Sequence, residues 1–320
     1  MTRWGVVATI KAPPREVLNF VAYHLELGAD HLFIYLDNQN PTAQAALDAH
    51  PQVTVTRTDG AYWRASGIKK PVKHQPRQTY NATHAYQMAT DLDWLVHIDV
   101  DEFLCPADLS VSALLDTLPP DMACARVRPA EALATDGIAG LDPDATYCKA
   151  WIRNQGDMRR IEADLYPDFG GYFRAGFVSH TVGKIFLRTG LGPLEFRIHR
   201  AMVEGEEITP RTVLDGIDLC HRHIADWDAW QKVFDFRMDR GSYREGLKAS
   251  RSGEPGGMTI NEVFTFLLQD GGQEGLRRFY EEVCLARPAL LQKLEAHGLL
   301  RVFHLDLARK RKKHFQNWRR

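Results

Sequence analysis

Short apolar runs alternate with segments of helical periodicity along the first part of the chain. Continuous apolar stretches at Trp4–Ile10 and His31–Leu36 predict two buried strands. Between them, Pro13 and Pro14 suit a helix entry, and Gly28 suits a C-terminal cap. Further strands are predicted at 52–58, 94–98, 123–127, 181–188 and 217–221, with helices at 42–49 and 77–90. This alternation predicts an α/β fold: a mostly parallel sheet flanked by helices.

The later part of the chain follows a different pattern. Residues 59–73, rich in Gly, Lys and aromatic side chains, predict a loop, and residues 130–180 show little periodicity. From Trp227 onward, helical spacing predominates, with a flexible loop predicted at 250–257. We therefore predict an α/β domain over residues 1–240 and a helical C-terminal extension over residues 241–320.

Composition is that of an ordinary globular protein. The 320 residues are 44% hydrophobic and 25% charged, which argues against a disordered or low-complexity chain. Five scattered cysteines, without a C-x-x-C pair, argue against a disulfide framework or a structural zinc site. The first apolar stretch ends at Lys11, well short of the roughly 18 residues that a membrane span needs. We expect a cytoplasmic protein.

Three carboxylates follow the strand predicted at 94–98, namely Asp99, Asp101 and Glu102. Like charges this close disfavour ionisation unless a cation offsets them. In open α/β sheets, ligands bind beyond the carboxyl ends of the strands. Carboxylate oxygens select Mg²⁺ or Mn²⁺, which complete their coordination with substrate phosphate oxygens. The pattern therefore favours a metal-assisted phosphate site, the alternative being acids that only cap turns and helices.

Three segments together carry a family resemblance: HLELGADHLFIYLDNQNPT, QTYN and DWLVHIDVDEFL. In this order they resemble the bacterial family 2-like glycosyltransferases, whose core is the GT-A nucleotide-sugar-binding fold. The resemblance covers about residues 4–240 and is most specific between residues 20 and 104. It implies a GT-A-like sheet and an enzyme that transfers a sugar, with inversion, from a nucleotide-sugar donor to a glycan or other hydroxyl acceptor, as in polysaccharide biosynthesis.

The resemblance also implies roles for particular residues. Asp99 and Asp101 match the D-x-D that binds the donor diphosphate through Mn²⁺ or Mg²⁺, and Asp37 matches a nucleoside-contacting position. Lys11 is the part of the family's Lys-Asn-Glu that this chain keeps, followed here by Ala and Pro. Gln78 and Asn81 match polar positions that face the donor, although solvent-exposed amides are an equal alternative.

Two further segments supply candidate site residues. His221 and His223 point to one face of a strand, and His221 matches a C-terminal metal-ligand position of the family; the alternative is a pair of structural histidines. Lys184 and His199 match site positions of the family. Lys184, alternating with Arg188 along a strand, could neutralise charge on the leaving nucleoside diphosphate, although both also suit an ordinary strand surface.

Inverting transfer needs a carboxylate that takes the acceptor proton. Asp168 precedes an aromatic loop suited to an acceptor site and is our candidate, with Glu195 and Glu204 as competitors. Two other functions remain open. One is nucleotidyl transfer to a sugar phosphate, which normally brings a Gly-rich loop that is missing near the first strand; the other is an inactive nucleotide- or glycan-binding module.

The net charge of -1 conceals an uneven distribution. Seven of the 40 basic residues lie in the last twelve positions, which leaves the rest of the chain with 33 basic and 41 acidic residues. With Phe315 and Trp318, this tail suits peripheral contact with an anionic membrane or glycan, the alternative being a solvated tail. No nucleic-acid motif accompanies it, so we expect no specific nucleic-acid binding.

Overall fold

The structure is a computed structural model, and it describes residues 1–154, 156–247, 257–316 and 318. Residues 250–256 of the predicted loop, and Arg319 and Arg320 of the basic tail, lie outside this part. The described strands are β1 (Trp4–Ile10), β2 (His31–Leu36), β3 (Val53–Arg57), β4 (Trp94–His97), β5 (Glu102–Pro106), β6 (Cys124–Ala132), β7 (Thr146–Ala150), β8 (Lys184–Arg188), β9 (Glu195–Phe196), β10 (Ala201–Val203), β11 (Glu206–Ile208), β12 (Val213–His221) and β13 (Leu300–Phe303).

The helices lie between these strands in the order expected of an α/β chain. They are α1 (Pro14–Glu26), α2 (Pro41–Asp48), α3 (Gly60–Ala65), α4 (His74–Met88), α5 (Val111–Asp116), α6 (Met158–Leu165), α7 (Trp227–Asp239), α8 (Ile260–Phe279), α9 (Pro288–Ala296) and α10 (Leu307–His314). A short 3₁₀ turn, Arg174–Gly176, and a π-helical turn, Tyr280–Cys284, complete the helical structure.

The chain forms two compact units. Unit 1 holds residues 1–128, 182–219 and 305–320, and unit 2 holds residues 129–181 and 220–304. Strands β6 and β12 each begin in unit 1 and end in unit 2. The boundary predicted at residue 240 separates an α/β domain from a helical C-terminal extension. This boundary stays a prediction.

Unit 1 is built on a mainly parallel sheet flanked by helices. Strand β1 pairs in parallel with β2 and β4, and β2 pairs in parallel with β3. Beyond β4, strand β8 runs antiparallel to it, and β8 pairs in turn with β6. A separate small antiparallel sheet contains β9, β10 and β11. The predicted α/β class with a mostly parallel sheet is confirmed.

Both faces of this sheet are buried, which explains the continuous apolar runs. Val6 and Ile34 pack on one face together with Val17 of α1. Val7 packs on the opposite face together with Ala82 of α4. Successive side chains of β1 therefore pack against helices on opposite faces of the sheet. Because β1, β2 and β4 are parallel, their carboxyl ends lie at the same edge of the sheet.

Unit 2 is largely helical and is organised around aromatic side chains. Trp230 of α7, Phe264 of α8 and Tyr280 all lie in its core. Its strand pairs are β6 with β7 and β7 with β13, both antiparallel. Lys149 of β7 is buried, donating to the carbonyl oxygens of Gly176 (2.6 Å) and Val283 (2.7 Å). This ammonium joins three segments of unit 2 that are distant in sequence.

The start of the basic tail forms helix α10, which packs against α1 in unit 1. Lys313 and His314 lie 2.7 and 3.2 Å from the Glu26 carboxylate, whose pKa falls to about 2 chiefly through its hydrogen bond with Lys313. Phe315 is buried in the same core as β1. A wholly solvated tail is therefore wrong for residues 307–316, and contact with a membrane or glycan stays a prediction.

No helix in the described ranges combines the length and apolar character needed to cross a bilayer.

Candidate functional site

The D-x-D segment forms a tight turn directly after β4 in unit 1. The Asp99 N–H donates to the Glu102 carboxylate (2.8 Å), and the Glu102 N–H donates to the Asp99 carbonyl oxygen (3.1 Å). Ile98, the residue before the turn, is still held to β1 through the Val7 carbonyl oxygen (3.2 Å). The turn therefore lies at the carboxyl edge of the parallel strands, as the sequence predicted.

Lys184, at the start of β8, neutralises two acids of this turn. Its ammonium lies 2.6 Å from Asp99 and 3.0 Å from Glu102, and both Lys184 and Glu102 are fully buried. Burial by itself would lower the pKa of Lys184, but the carboxylates of Asp99 and Glu102 outweigh burial and raise this pKa. Lys184 is therefore a buried cation bound to the D-x-D turn, and an exposed strand-surface lysine is excluded.

Two amides of α4 reach towards the same edge. The Gln78 side chain donates to Asp99 (2.6 Å), whereas Asn81 donates to the Thr9 hydroxyl (3.0 Å) and accepts from the Tyr62 hydroxyl (2.8 Å). Both amides are buried, so the solvent-exposed alternative is wrong. Gln78 belongs to the D-x-D network, while Asn81 joins α4 to β1 and to α3.

A second buried carboxylate, Asp37, follows β2 at the same edge. Arg77 lies 2.8 Å from it, Lys70 3.1 Å and His74 3.7 Å, and the Thr58 hydroxyl donates to it at 3.1 Å. Burial alone would raise the pKa of Asp37, but these basic neighbours outweigh burial and lower the pKa strongly. Asp37 is therefore an ionised carboxylate, and the basic side chains around it carry more positive charge than is needed to neutralise it.

A cavity of about 410 Å³ opens beside the ends of β1 and β2. Lys11 and Asn38 contribute to its wall, and Lys11 is exposed. Asn40 fixes the wall, because its side chain donates to the Ala12 carbonyl oxygen (3.0 Å) and caps α2 through the Ala43 N–H (3.2 Å). Lys11 is thus placed at an open cavity on the strand edge that carries Asp37.

The remaining candidate residues are spread over both units. In unit 1, the His199 Nδ1 donates to the Gly183 carbonyl oxygen (2.8 Å), next to Lys184 in the chain. In unit 2, the buried His221 ring stacks on His180 (5.0 Å between ring centroids) and meets His223 edge-on (5.3 Å). His221 as a metal ligand stays a prediction.

Asp168 belongs to unit 2, where it follows α6. Its carboxylate is exposed and lies 3.6 Å from Arg278. Its backbone N–H donates to Glu282 (3.0 Å), so the loop that carries it is fixed. A role as catalytic base stays a prediction for this residue.

Lys70, His74 and Arg77 are not among the residues predicted for the site from the sequence. All three lie in one basic segment, which runs from the end of β3 into the first turn of α4. This clustering of basic residues is a signal that the sequence did contain. The ion pair between Lys184 and Glu102 had no sequence signal beyond charge, since 82 positions separate the two residues along the chain.

The oxygen-rich turn fits a hard divalent cation. Asp101 is half-buried and stands one residue beyond Val100 on the turn that Lys184 and Gln78 hold. Lys184 binds Asp99 and Glu102, and Asp101 supplies the second carboxylate of the D-x-D on the same turn for Mg²⁺ or Mn²⁺.

No protein-family model and no curated protein matches the chain. Among solved structures, HddC from Yersinia pseudotuberculosis is 10% identical, with 43% of this chain and 65% of that chain covered and a TM-score of 0.28. Two structures of LgtC, an active-site mutant and the galactosyltransferase in complex with donor and acceptor sugar analogs, are 12% and 13% identical. Each covers 57% of this chain, with 56% and 57% of the respective LgtC chains covered, at TM-scores of 0.28. This chain thus spans less than two thirds of the length of each of these three structures.

Proposed function

We propose that the chain is a metal-assisted glycosyltransferase that moves a sugar from a nucleotide-sugar donor to a hydroxyl group of a glycan or other acceptor. The observation that carries this proposal is the D-x-D turn at the carboxyl edge of β4, held by Lys184 and Gln78 beside β1. Ligands of open α/β sheets bind at this edge. The GT-A resemblance of the sequence points to the same edge for the donor.

In this proposal Asp101 holds Mn²⁺ or Mg²⁺. The ion would neutralise charge on the donor diphosphate and so favour departure of the nucleoside diphosphate. Lys184 and Gln78 act as positioning residues. They fix the Asp99 carboxylate at 2.6 Å each and thereby hold the backbone of the turn in one conformation.

The donor nucleotide would occupy the edge formed by β1 and β2. The family resemblance assigns the nucleoside contact to Asp37, whose buried carboxylate is held in the ionised form by Arg77 and Lys70. Lys11 would meet the donor from the wall of the neighbouring cavity. Asp168 is the proposed acceptor base, with inversion at the anomeric carbon as the expected outcome.

The test is turnover of a panel of nucleotide sugars by the purified chain with Mn²⁺. We expect release of nucleoside diphosphate, and we expect Asp101→Asn to reduce it on the order of 10²-fold or more, the scale of losing one preorganised electrostatic group. Asp91→Asn is the matched control, since Asp91 is an exposed acid just before β4. It should retain full activity.

Product analysis separates the competing functions. Release of pyrophosphate instead of nucleoside diphosphate would replace the proposal with nucleotidyl transfer. Full turnover by Asp101→Asn would remove the D-x-D turn from the mechanism. Metal-dependent nucleotide binding without any turnover would favour an inactive binding module.

A further inference from the structure

Unit 2 contains a cavity of about 420 Å³ between α8 and residues 167–172. We call it the α8 cavity. Its apolar wall includes Phe169, Tyr172 and Phe266, and its polar wall includes Asp270 and Glu274. The volume lies within the usual range of small-molecule sites. Phe266 and Tyr172 remain 51% and 36% exposed, so apolar surface is open to an incoming ligand.

The acids on this wall are not neutralised by the protein. Asp270 and Glu274 are four residues apart on α8, and neither forms an ion pair within the described ranges. Arg278 also lines the cavity, but it lies 3.6 Å from Asp168, a third acid of the wall. The wall therefore carries a surplus of two negative charges.

Glycines in α8 shape the cavity. A side chain at Gly271 would meet no atom within 4 Å, so this position faces open space. Gly272 has a φ of +55°, which interrupts the helix at that point, and a Cβ at Gly275 would lie 2.5 Å from the Leu267 carbonyl oxygen. Glycine adopts a positive φ without steric cost, so Gly272 suits a break between two helical segments, and Gly271 beside it leaves the pocket open.

The opposite wall is fixed. The Glu282 carboxylate accepts the N–H groups of Asp168 (3.0 Å) and Phe169 (2.9 Å). The Phe169 ring in turn packs edge-on against Phe279 of α8, with ring centroids 5.3 Å apart. The cavity thus has one wall anchored by hydrogen bonds and ring packing, and one wall with unneutralised acids.

We propose that the α8 cavity binds a small organic ammonium compound with an apolar body. The ammonium group would meet Asp270 and Glu274, and the apolar body would pack on Phe169, Phe266 and Tyr172. Carboxylates offset the positive charge, and aromatic faces attract cations in the same place. The surplus negative charge disfavours an anionic ligand. Asp168, the acceptor base of the proposed transferase, also lines this cavity, but the contacts proposed for the ammonium compound use Asp270 and Glu274 and do not require that activity.

The test is a titration of the full chain with two matched pairs of ligands, in which ligand-observed NMR measures binding. Benzylamine is compared with benzyl alcohol, and cyclohexylamine with cyclohexanol, so that the two members of each pair differ in the amine. We expect at least one amine to bind about fivefold or more tighter than its neutral partner, the scale of a carboxylate and aromatic contact. The pair that shows the larger difference identifies an aromatic or an aliphatic body.

Two variants localise the binding. Glu274→Gln should remove most of the preference for the amine, and Gly271→Leu should abolish binding because leucine fills the open space without backbone strain. Asp144→Asn, at an exposed acid elsewhere in unit 2, should bind like the unaltered chain. Thermal unfolding checks that each variant is folded. Equal binding of amines and neutral partners, binding unaffected by Gly271→Leu, or no binding of either amine would overturn the proposal.

Discussion

Replacing Lys184 by methionine removes one buried charge and keeps the length of the side chain. At an effective dielectric constant of about 20, ammonium–carboxylate distances of 2.6 Å to Asp99 and 3.0 Å to Glu102 correspond to attractions of roughly 6 kcal/mol each, before desolvation. Removing one partner of a buried pair typically costs about 3–5 kcal/mol. The Asp99 side chain is 32% exposed and can recover hydration, whereas that of Glu102 is not exposed at all. We therefore expect Lys184→Met to lower the free energy of unfolding by about 3 kcal/mol.

The assay is urea-induced unfolding of unaltered and variant chains at neutral pH. Lys312→Met is the matched control, because Lys312 is an exposed lysine of α10, and its effect should stay within about 0.5 kcal/mol. Adding Glu102→Gln to Lys184→Met removes the uncompensated buried charge. The double variant should therefore be more stable than the sum of the single effects predicts, by about 1 kcal/mol or more.

The pH dependence gives a second check on Lys184. Its pKa is raised above the ordinary value of 10.5, so its contribution is fully present below that pH and is lost only as pH rises through the folded-state pKa. The difference between unaltered and Lys184→Met chains should thus stay constant from neutral to mildly alkaline pH. A loss below about 0.5 kcal/mol, or strictly additive effects of the two substitutions, would refute the reasoning.

Three further predictions concern stability. Phe315→Ala should cost about 3 kcal/mol in thermal unfolding, because the ring is buried in unit 1; an unchanged melting temperature would show that the tail is not docked. Burial lowers the pKa of His24 to about 4 and of His97 to about 3 from 6.5, so below pH 6.5 the unfolded chain takes up protons that the folded chain does not. Unfolding free energy should then fall by about 1.4 kcal/mol per histidine and pH unit down to about pH 4, and a flat urea profile would contradict this. Gly176→Ala should destabilise by more than 2 kcal/mol or so, because its Cβ would lie 2.4 Å from an aromatic ring; Gly140→Ala, at a similar positive φ in open space, should cost only about 1 kcal/mol, and equal losses would contradict the contact.

The strands of the parallel sheet could be predicted closely from the sequence. Both β1 and β2 are buried on two faces, so each is a continuous apolar run with clear ends, and the structure has both at the predicted residues. Asp37 and Asp99 follow such strands, and their position at the sheet edge follows from parallel pairing alone.

Short or non-local elements could not be predicted in this way. Helix α3 lies within the predicted loop at 59–73. The sequence does not predict this helix, because it has only six residues and depends on the Asp59 side chain, which accepts the N–H groups of Ala61 and Tyr62. Strand β13 lies in the predicted helical extension, and it forms through pairing with β7, about 150 positions earlier. Neither feature leaves a periodic pattern in its own segment.

The types of residue at the site could be predicted from the sequence. The residues with which they form ion pairs and hydrogen bonds could not. Carboxylates at the end of β4 indicated that a cation must offset them. The structure supplies one such cation from the protein itself, Lys184, which is brought to Asp99 by the antiparallel pairing of β8 with β4. Similarly, the basic tail had a visible charge, but its pairing with Glu26 required the tertiary fold.

The central claim is that the D-x-D turn of unit 1 binds the diphosphate of a nucleotide-sugar donor through a divalent cation at Asp101. Calorimetric titration of the full chain with nucleoside diphosphates, with and without Mn²⁺, tests it most directly. We expect binding that requires Mn²⁺, is lost in Asp101→Asn and is retained in Asp91→Asn. Binding that is equally tight without Mn²⁺, or that is unchanged in Asp101→Asn, would contradict it.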